Sequence, residues 1–195
     1  MWEFKDPRRL TSVATIALCA YMVLKVLASI LAFVLPAGSA SLAFAASVYL
    51  LALLACSILV GMWIYRTNAN AHSFGGEMSI TPGWSVGWFF IPFANLVMPY
   101  TAVHETWQVS HEFAGRLEEE QSSLVGWWWG LWIVNTIVSN FHGLLGGFAA
   151  GEAGGVAVVG VVATAVSIAL CFVFIRLMRR LVSAQRAAAQ GSVFA

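Results

Sequence analysis

The sequence predicts an all-α integral membrane protein. It would form one domain, 1–195: a four-helix bundle with a proline-broken re-entrant or interfacial segment and an amphipathic helix between spans two and three. Hydrophobic residues make up 60% of the chain and charged residues only 10%, whereas soluble domains contain about 25% charged residues. The apolar residues also fall into four long blocks, each near the roughly 20 residues that a helix needs to cross a bilayer.

The four blocks cover about residues 10–35, 41–65, 124–145 and 156–178. The connector between the first two begins with Pro36, which cannot continue a helix. A glycine-rich link at 146–155 joins the last two. The first block is longer than the apolar region of a signal peptide, about 7–15 residues, so we expect a retained span.

The segment 82–99 is apolar but contains three prolines. Pro82 is compatible with a helix start, whereas Pro92 and Pro99 each remove a hydrogen bond inside a helix. Irregular backbone at membrane depth is tolerated only where protein or a water-filled cavity covers it. We therefore expect one of two arrangements. The segment either re-enters the membrane and lines a pocket, with Asn95 near its turn, or lies kinked at the interface.

Residues 101–117 follow a helical period, with an apolar side that includes Phe113 and a polar side that includes His104 and His111. This pattern predicts an amphipathic helix at the membrane surface. Each histidine precedes a glutamate, but positions seven apart are about 10.5 Å apart along a helix, too far to share one ion. We expect no metal site and no cofactor.

Lys25 lies deep in the first predicted span, and no acidic residue occurs in any of the four. A charge at the bilayer centre costs about 2.5–3.5 kcal/mol on insertion scales, and such residues are functional-site candidates. Counting inward from the connectors places Asn135 and Thr164 at a similar depth. We predict a buried polar layer of these three residues, which either binds the anionic group of a ligand or clamps the helices.

The lysines and arginines indicate an orientation. If the segment 82–99 does not cross, both termini and the central region share one side, and the two outer connectors contain no Lys or Arg. Since cytoplasmic segments are enriched in these residues, we predict a multi-pass protein with cytoplasmic termini. Arg176, Arg179 and Arg180, at the end of the fourth span, either enforce this orientation or hold anionic lipid head groups.

Aromatic, proline and asparagine residues in the middle of the chain form a distinctive pattern. They are Trp63, Arg66, Asn70, Pro82, Gly83, Trp84, Trp88, Pro92, Asn95, Pro99 and Trp107. In this pattern the chain resembles a bacterial membrane family known as domain of unknown function 4328. The resemblance implies a polytopic protein of the bacterial inner membrane and implies no activity.

The sequence contains no phosphate loop, nucleotide fingerprint, serine elbow or metalloprotease motif. Its net charge of +1 does not indicate nucleic-acid binding. We expect a non-catalytic membrane module, not an enzyme, that packs against lipids and against itself or another membrane protein. The alternative is binding or transport of a small molecule, lipid or ion through the segment 82–99 and the Lys25 layer.

Overall fold

The computed structural model describes residues 2–36, 38–115, 119–148 and 153–191. These ranges form helices α1 (Arg8–Val34), α2 (Ala40–Ser73), α3 (Pro82–Gly87), α4 (Met98–Phe113), α5 (Glu119–Phe148) and α6 (Ala153–Gly191). Two 3₁₀ turns, Trp88–Phe90 and Ala94–Leu96, lie between α3 and α4. The described ranges contain no strand, so the prediction of an all-α protein is confirmed. Within α5 and α6, side chains are described for 123–141 and 158–191.

Three helical stretches are long and apolar enough to cross a membrane, as judged over the described residues. They are Arg8–Val34, Ala40–Ser73 and Val158–Gly191. Their length and composition are typical of a membrane protein. The fourth predicted span, 124–145, lies within α5 and extends past the described side chains, so its crossing stays a prediction.

The long helices pack side by side in the order α2, α1, α6, α5. The shorter α4 packs against α6, α5 and α2, and α3 packs against α2 and α4. Within the described residues, α5 does not pack extensively on α1 or α2. The four long helices therefore leave one side open, where α3 and α4 rather than α5 cover α2, and the predicted four-helix bundle stays a prediction. We call the end at which α1 begins and α2 and α6 end the basal end, and the opposite end the distal end.

The core lies at the basal end. Its largest fully buried apolar side chains are Trp63, Val125, Leu177, Met178 and Leu181. On α1 the buried positions stop at Tyr21, and none from 22 to 34 is buried. Apolar side chains in the distal halves of α1 and α2 are exposed, with Phe33 80% and Phe44 72% exposed. These faces suit contact with lipid or with another membrane protein.

The helix α4 is buried more extensively than the surface helix predicted for 101–117. His111, expected on the polar side, is only 4% exposed, whereas Phe113, expected on the apolar side, is 45% exposed. Three long helices pack against α4 and bury most of it, and its exposed residues include Gln108, Glu112 and Phe113.

Candidate functional site

The motif residue Trp63 ties the basal ends of three helices together. It is fully buried, and its indole N–H donates to Oγ1 of Thr11 at 3.0 Å. The Thr11 hydroxyl donates in turn to the carbonyl of Pro7 at 2.8 Å. The indole also packs edge-on against Phe174 of α6, with 5.6 Å between ring centroids. Arg66, the next motif residue, is half-buried on α2.

The motif residue Asn70 holds the segment before α1 in place. Its Oδ1 accepts from the backbone N–H of Lys5 at 3.0 Å, and its Nδ2 donates to the carbonyl of Lys5 at 3.0 Å. Nδ2 also donates to Oε1 of Gln185 on α6 at 3.1 Å. The Gln185 amide donates onward to the carbonyl of Thr67 at 2.7 Å and to Ser110 Oγ at 3.1 Å. A buried polar network therefore connects the N-terminal segment with α2, α4 and α6.

We call residues 2–7 the N-terminal strap. Trp2 packs edge-on against Tyr65, and Phe4 packs against Phe74. Aromatic contacts at α2 thus support the strap on both sides of the Lys5 hydrogen bonds.

Asp6, in the strap, accepts from the backbone N–H of Arg8 at 3.0 Å and from its guanidinium at 2.8 Å. Partial burial would raise the pKa of this carboxyl. The two hydrogen bonds and the charges of Arg8 and Arg186 outweigh that effect and hold the pKa below its usual value of 3.8.

Glu105 on α4 anchors the loop that follows α2. Its carboxylate accepts from the backbone N–H groups of Ser79 at 3.1 Å and Ile80 at 3.3 Å, and from the Ser79 hydroxyl. The loop lies close to α4: a Cβ added to Gly76 would stand only 2.6 Å from a methyl of Val109. Glu105 is thus engaged in hydrogen bonding to the loop.

The two histidines assigned to the polar side of the helix predicted at 101–117 stack on aromatic rings. His104 stacks on Tyr100, and His111 stacks on the motif residue Trp107, with centroids 4.1 Å apart. Trp107 itself is buried in the basal core. No group of three His, Cys, Asp or Glu side chains suited to a metal occurs in the part of the chain that the structure describes.

The segment 82–99 folds as short pieces and does not form a continuous helix. Pro82 opens α3, and Pro99 lies in the first turn of α4, and both are buried. Between them the chain turns at Phe93, whose φ is 65°, next to an exposed Pro92. Positive φ is costly for a side chain of this size. Local backbone hydrogen bonds support the turn, from the N–H of Ala94 to the carbonyl of Pro92 at 2.8 Å and from the N–H of Leu96 to the carbonyl of Phe93 at 3.1 Å.

The turn presents apolar side chains outward. Phe90 is 82% and Phe93 86% exposed. Asn95 is half-buried, and its backbone N–H donates to the carbonyl of Ile91 at 3.0 Å. The motif tryptophans Trp84 and Trp88 pack against each other with tilted rings, with centroids 4.8 Å apart. The motif residue Gly83 has open space around it, and nothing in the structure explains a glycine there.

The predicted polar layer residues lie on three neighbouring helices. Lys25 Nζ of α1 donates to the Ser167 hydroxyl of α6 at 2.5 Å, and that hydroxyl donates to Asn135 Oδ1 of α5 at 2.5 Å. One turn nearer the distal end, the hydroxyls of Ser29 and Thr164 are 3.0 Å apart. The structure therefore brings Lys25 and Asn135 to one hydroxyl group, with Thr164 at the adjacent level. Asn95 belongs to the segment 82–99 and makes no hydrogen bond to these residues.

Sequence reasoning missed Ser29 and Ser167. The helical period contained the signal: Ser29 is four residues after Lys25, and Ser167 is three after Thr164, so each pair shares a helix face. Gln185 was also missed. Nothing in the sequence near the C-terminus indicates that its amide is buried.

The predicted head-group residues line an open groove of about 490 Å³ on α6. We call it the basic groove, and its lining residues are Phe172, Ile175, Arg176, Arg179, Arg180 and Ser183. The three guanidiniums form no ion pair within the described residues. A second groove, of about 590 Å³, contains Arg8 and Arg9 but also the carboxylate of Asp6. The two grooves therefore differ in net charge.

Comparisons with known proteins place the chain in a family. No curated protein and no solved structure matched it. The family model described as Domain of unknown function (DUF4328) matches residues 9–183, which include every residue of the motif from Trp63 to Trp107. The resemblance predicted from that motif is confirmed. The chain belongs to the DUF4328 family.

Proposed function

We propose that this protein is a non-catalytic membrane module that binds another membrane component through the Lys25 layer. The observation that carries the proposal is the hydrogen bonding of Lys25. An ammonium group has three donors, and within the described residues one of them is used, on Ser167. No acidic residue occurs in α1, α2 or the described side chains of α5 and α6.

The energetics favour a binding role over a clamp. Placing a lysine at the centre of a bilayer costs about 2.5–3.5 kcal/mol on insertion scales. A polar bond between membrane helices contributes about 0.6–2 kcal/mol in return. A side chain that only joined helices would stabilise the protein more if it were neutral. The cost of the charge therefore favours a binding role for Lys25.

The proposal includes four crossings, with α5 as the fourth and the basal end in the cytoplasm. The basal end carries Lys5, Arg8, Arg9 and the arginines of α6, while the connectors at 35–39 and 149–152 contain no Lys or Arg. The longest helical piece of the segment 82–99 has six residues, about 9 Å. A piece of that length suits an interfacial element whose tip, Phe90 and Phe93, enters the near leaflet.

Cysteine labelling tests the topology. In a cysteine-free background, Ser79→Cys should react with a membrane-impermeant maleimide only from the cytoplasmic side, and Ser41→Cys only from the other. Reaction of both from the same side would contradict the proposed arrangement.

The variant Lys25→Met distinguishes a role of Lys25 in partner binding from a role in joining the helices. If Lys25 binds a partner, the variant should unfold at an equal or higher temperature than the wild type, because a costly charge is removed, yet migrate as a smaller species on native gels of mild membrane extracts. If Lys25 is a clamp, the variant should lose stability and keep the wild-type size, which would refute the proposal. Ser57→Ala, an exposed serine on α2 that bonds only its own helix, is the control.

The second candidate function is handling of a small molecule, lipid or ion. One observation favours it: the polar groups continue over two levels, from Lys25 and Ser167 to Ser29 and Thr164. Uptake of a labelled ligand that depends on Ser29 and Thr164 would establish it.

A further inference from the structure

This chain has no acidic side chain in the helical stretches around Lys25. All nine acidic residues lie outside the stretches 7–76, 121–151 and 153–195, which contain all of α1, α2 and α6 and nearly all of α5. A second copy of the chain has the same composition. Neither self-association nor a rearranged fold would therefore bring a carboxylate to the depth of Lys25.

The depth of the ammonium argues against a phospholipid head group. Nine residues separate Lys25 from Val34 at the distal end of α1, about 14 Å of helix. Side chains on a helix lean toward its N-terminus, so Lys25 leans toward the basal end, away from that surface. The Ser29–Thr164 pair occupies the next level outward. A lipid phosphate at the distal surface would have to pass this pair to reach Nζ.

The unsatisfied polar atoms of the layer are donors. The Ser167 hydroxyl accepts from Lys25 and has its single proton directed at Asn135 Oδ1 and at the carbonyl of Ala163. The Lys25 ammonium keeps two N–H groups, and the Asn135 amide nitrogen has no hydrogen bond to a described residue. These free N–H groups are complementary to an ionised carboxylate, which only accepts.

The layer is also reachable from the lipid side. Tyr21, one turn nearer the basal end, is the last buried residue of α1, and Lys25 is the next inward-facing position. Lys25, Ser29 and Asn135 are each only partly buried. A helix packed on the distal halves of α1 and α5 would meet both sets of free donors.

We propose that Lys25 and Asn135 bind a carboxylate carried by a transmembrane helix of a different membrane protein. This inference rests on the module function proposed above and specifies the chemistry of the partner. The pair would be an intramembrane ion pair: the carboxylate accepts two N–H groups of Lys25 and one of Asn135.

Designed helices test the inference directly. The full-length protein, labelled with a donor fluorophore, is placed in phosphatidylcholine vesicles with leucine–alanine host helices that carry Glu, Gln or Leu at their centre. Energy transfer measures association. We expect the Glu host to bind about three- to thirtyfold more tightly than the Leu host. Lys25→Met should reduce binding of the Glu host to the level measured for the Leu host. Ser57→Ala should leave binding of the Glu host unchanged.

The possible outcomes distinguish failure of this inference from failure of the proposed module function. The Glu and Gln hosts could bind equally, both more tightly than the Leu host, with both losing that binding in Lys25→Met. This result would contradict carboxylate binding but not the proposed module function. Equal binding of all three hosts would contradict both carboxylate binding and the proposed function of the Lys25 layer. Displacement of the Glu host by equimolar phosphatidylglycerol would assign the layer to lipid phosphate and overturn the inference. Thermal unfolding of Lys25→Met at or above the wild-type temperature shows that the variant folds.

Discussion

Replacing Asn70 with alanine removes the side chain that joins the N-terminal strap to the rest of the basal end. In the folded protein its amide makes three hydrogen bonds, two to the backbone of Lys5 and one to Gln185. Asn70 and Gln185 are both fully buried. The truncation therefore leaves the Gln185 Oε1 buried without its donor and frees the strap.

The magnitude follows from those two effects. A buried acceptor without a partner costs about 1–3 kcal/mol, and each lost backbone bond contributes about 0.5–1.5 kcal/mol net. The released Lys5 peptide groups regain hydrogen bonds to water, so the lower part of their range applies. We expect Asn70→Ala to destabilise the protein by about 2–4 kcal/mol.

Two measurements check this prediction. Unfolding in detergent, followed by tryptophan fluorescence, gives the change in stability, and hydrogen exchange at Lys5 reports release of the strap. The control is Asn140→Ala: Asn140 is exposed and its amide makes one bond, to the carbonyl of Thr136 on its own helix. We expect a change within about 0.5 kcal/mol there. Equal stability of both variants, with Lys5 still protected, would refute the reasoning.

Three further predictions concern charged side chains of the strap, of α4 and of α6. Glu105→Gln should cost about 1–3 kcal/mol and speed hydrogen exchange at Ser79, because a charged acceptor of two backbone N–H groups is lost. Since the pKa of Asp6 is lowered in the folded state, its contribution is complete above pH 3.8 and disappears as the pH falls through the lowered value. The protection of the Lys5 amide, measured relative to an unstructured amide at the same pH, should therefore fall in acid in the wild type but not in Asp6→Asn. Replacing the three arginines of the basic groove with glutamine should reduce co-purified anionic lipid by native mass spectrometry, whereas Arg9→Gln in the second groove should not.

Much of the fold could be predicted from the sequence because apolar length and proline position act locally. Helix α1 ends just before Pro36, and α3 begins at Pro82, as the prolines indicate. The burial of α4 could not be predicted in this way. Its environment depends on α2, α5 and α6, which pack against it, and no periodicity within 101–117 contains that information.

The polar layer shows the same division between local and non-local information. The depth of Lys25 and Asn135 follows from counting along each helix, and the structure places both at Ser167. Depth does not determine which segments are neighbours: Asn95, expected near the turn of the segment 82–99, makes no hydrogen bond to Lys25 or Asn135. Helix packing order is set by contacts distant in sequence, here α1 on α6 and α6 on α5.

The basal and distal ends should respond to substitution independently. Lys25 lies 17 residues from the start of α1 at Arg8, about 26 Å along the helix, and shares no hydrogen-bond partner with Asn70. Effects of substitutions this far apart add to within about 0.5 kcal/mol. The double variant of Lys25→Met and Asn70→Ala should therefore show the sum of the two changes in unfolding free energy, and Asn70→Ala should bind the Glu host helix as the wild type does. A larger coupling would mean that the strap and the layer belong to one cooperative element, and that binding at Lys25 alters the contacts of Lys5.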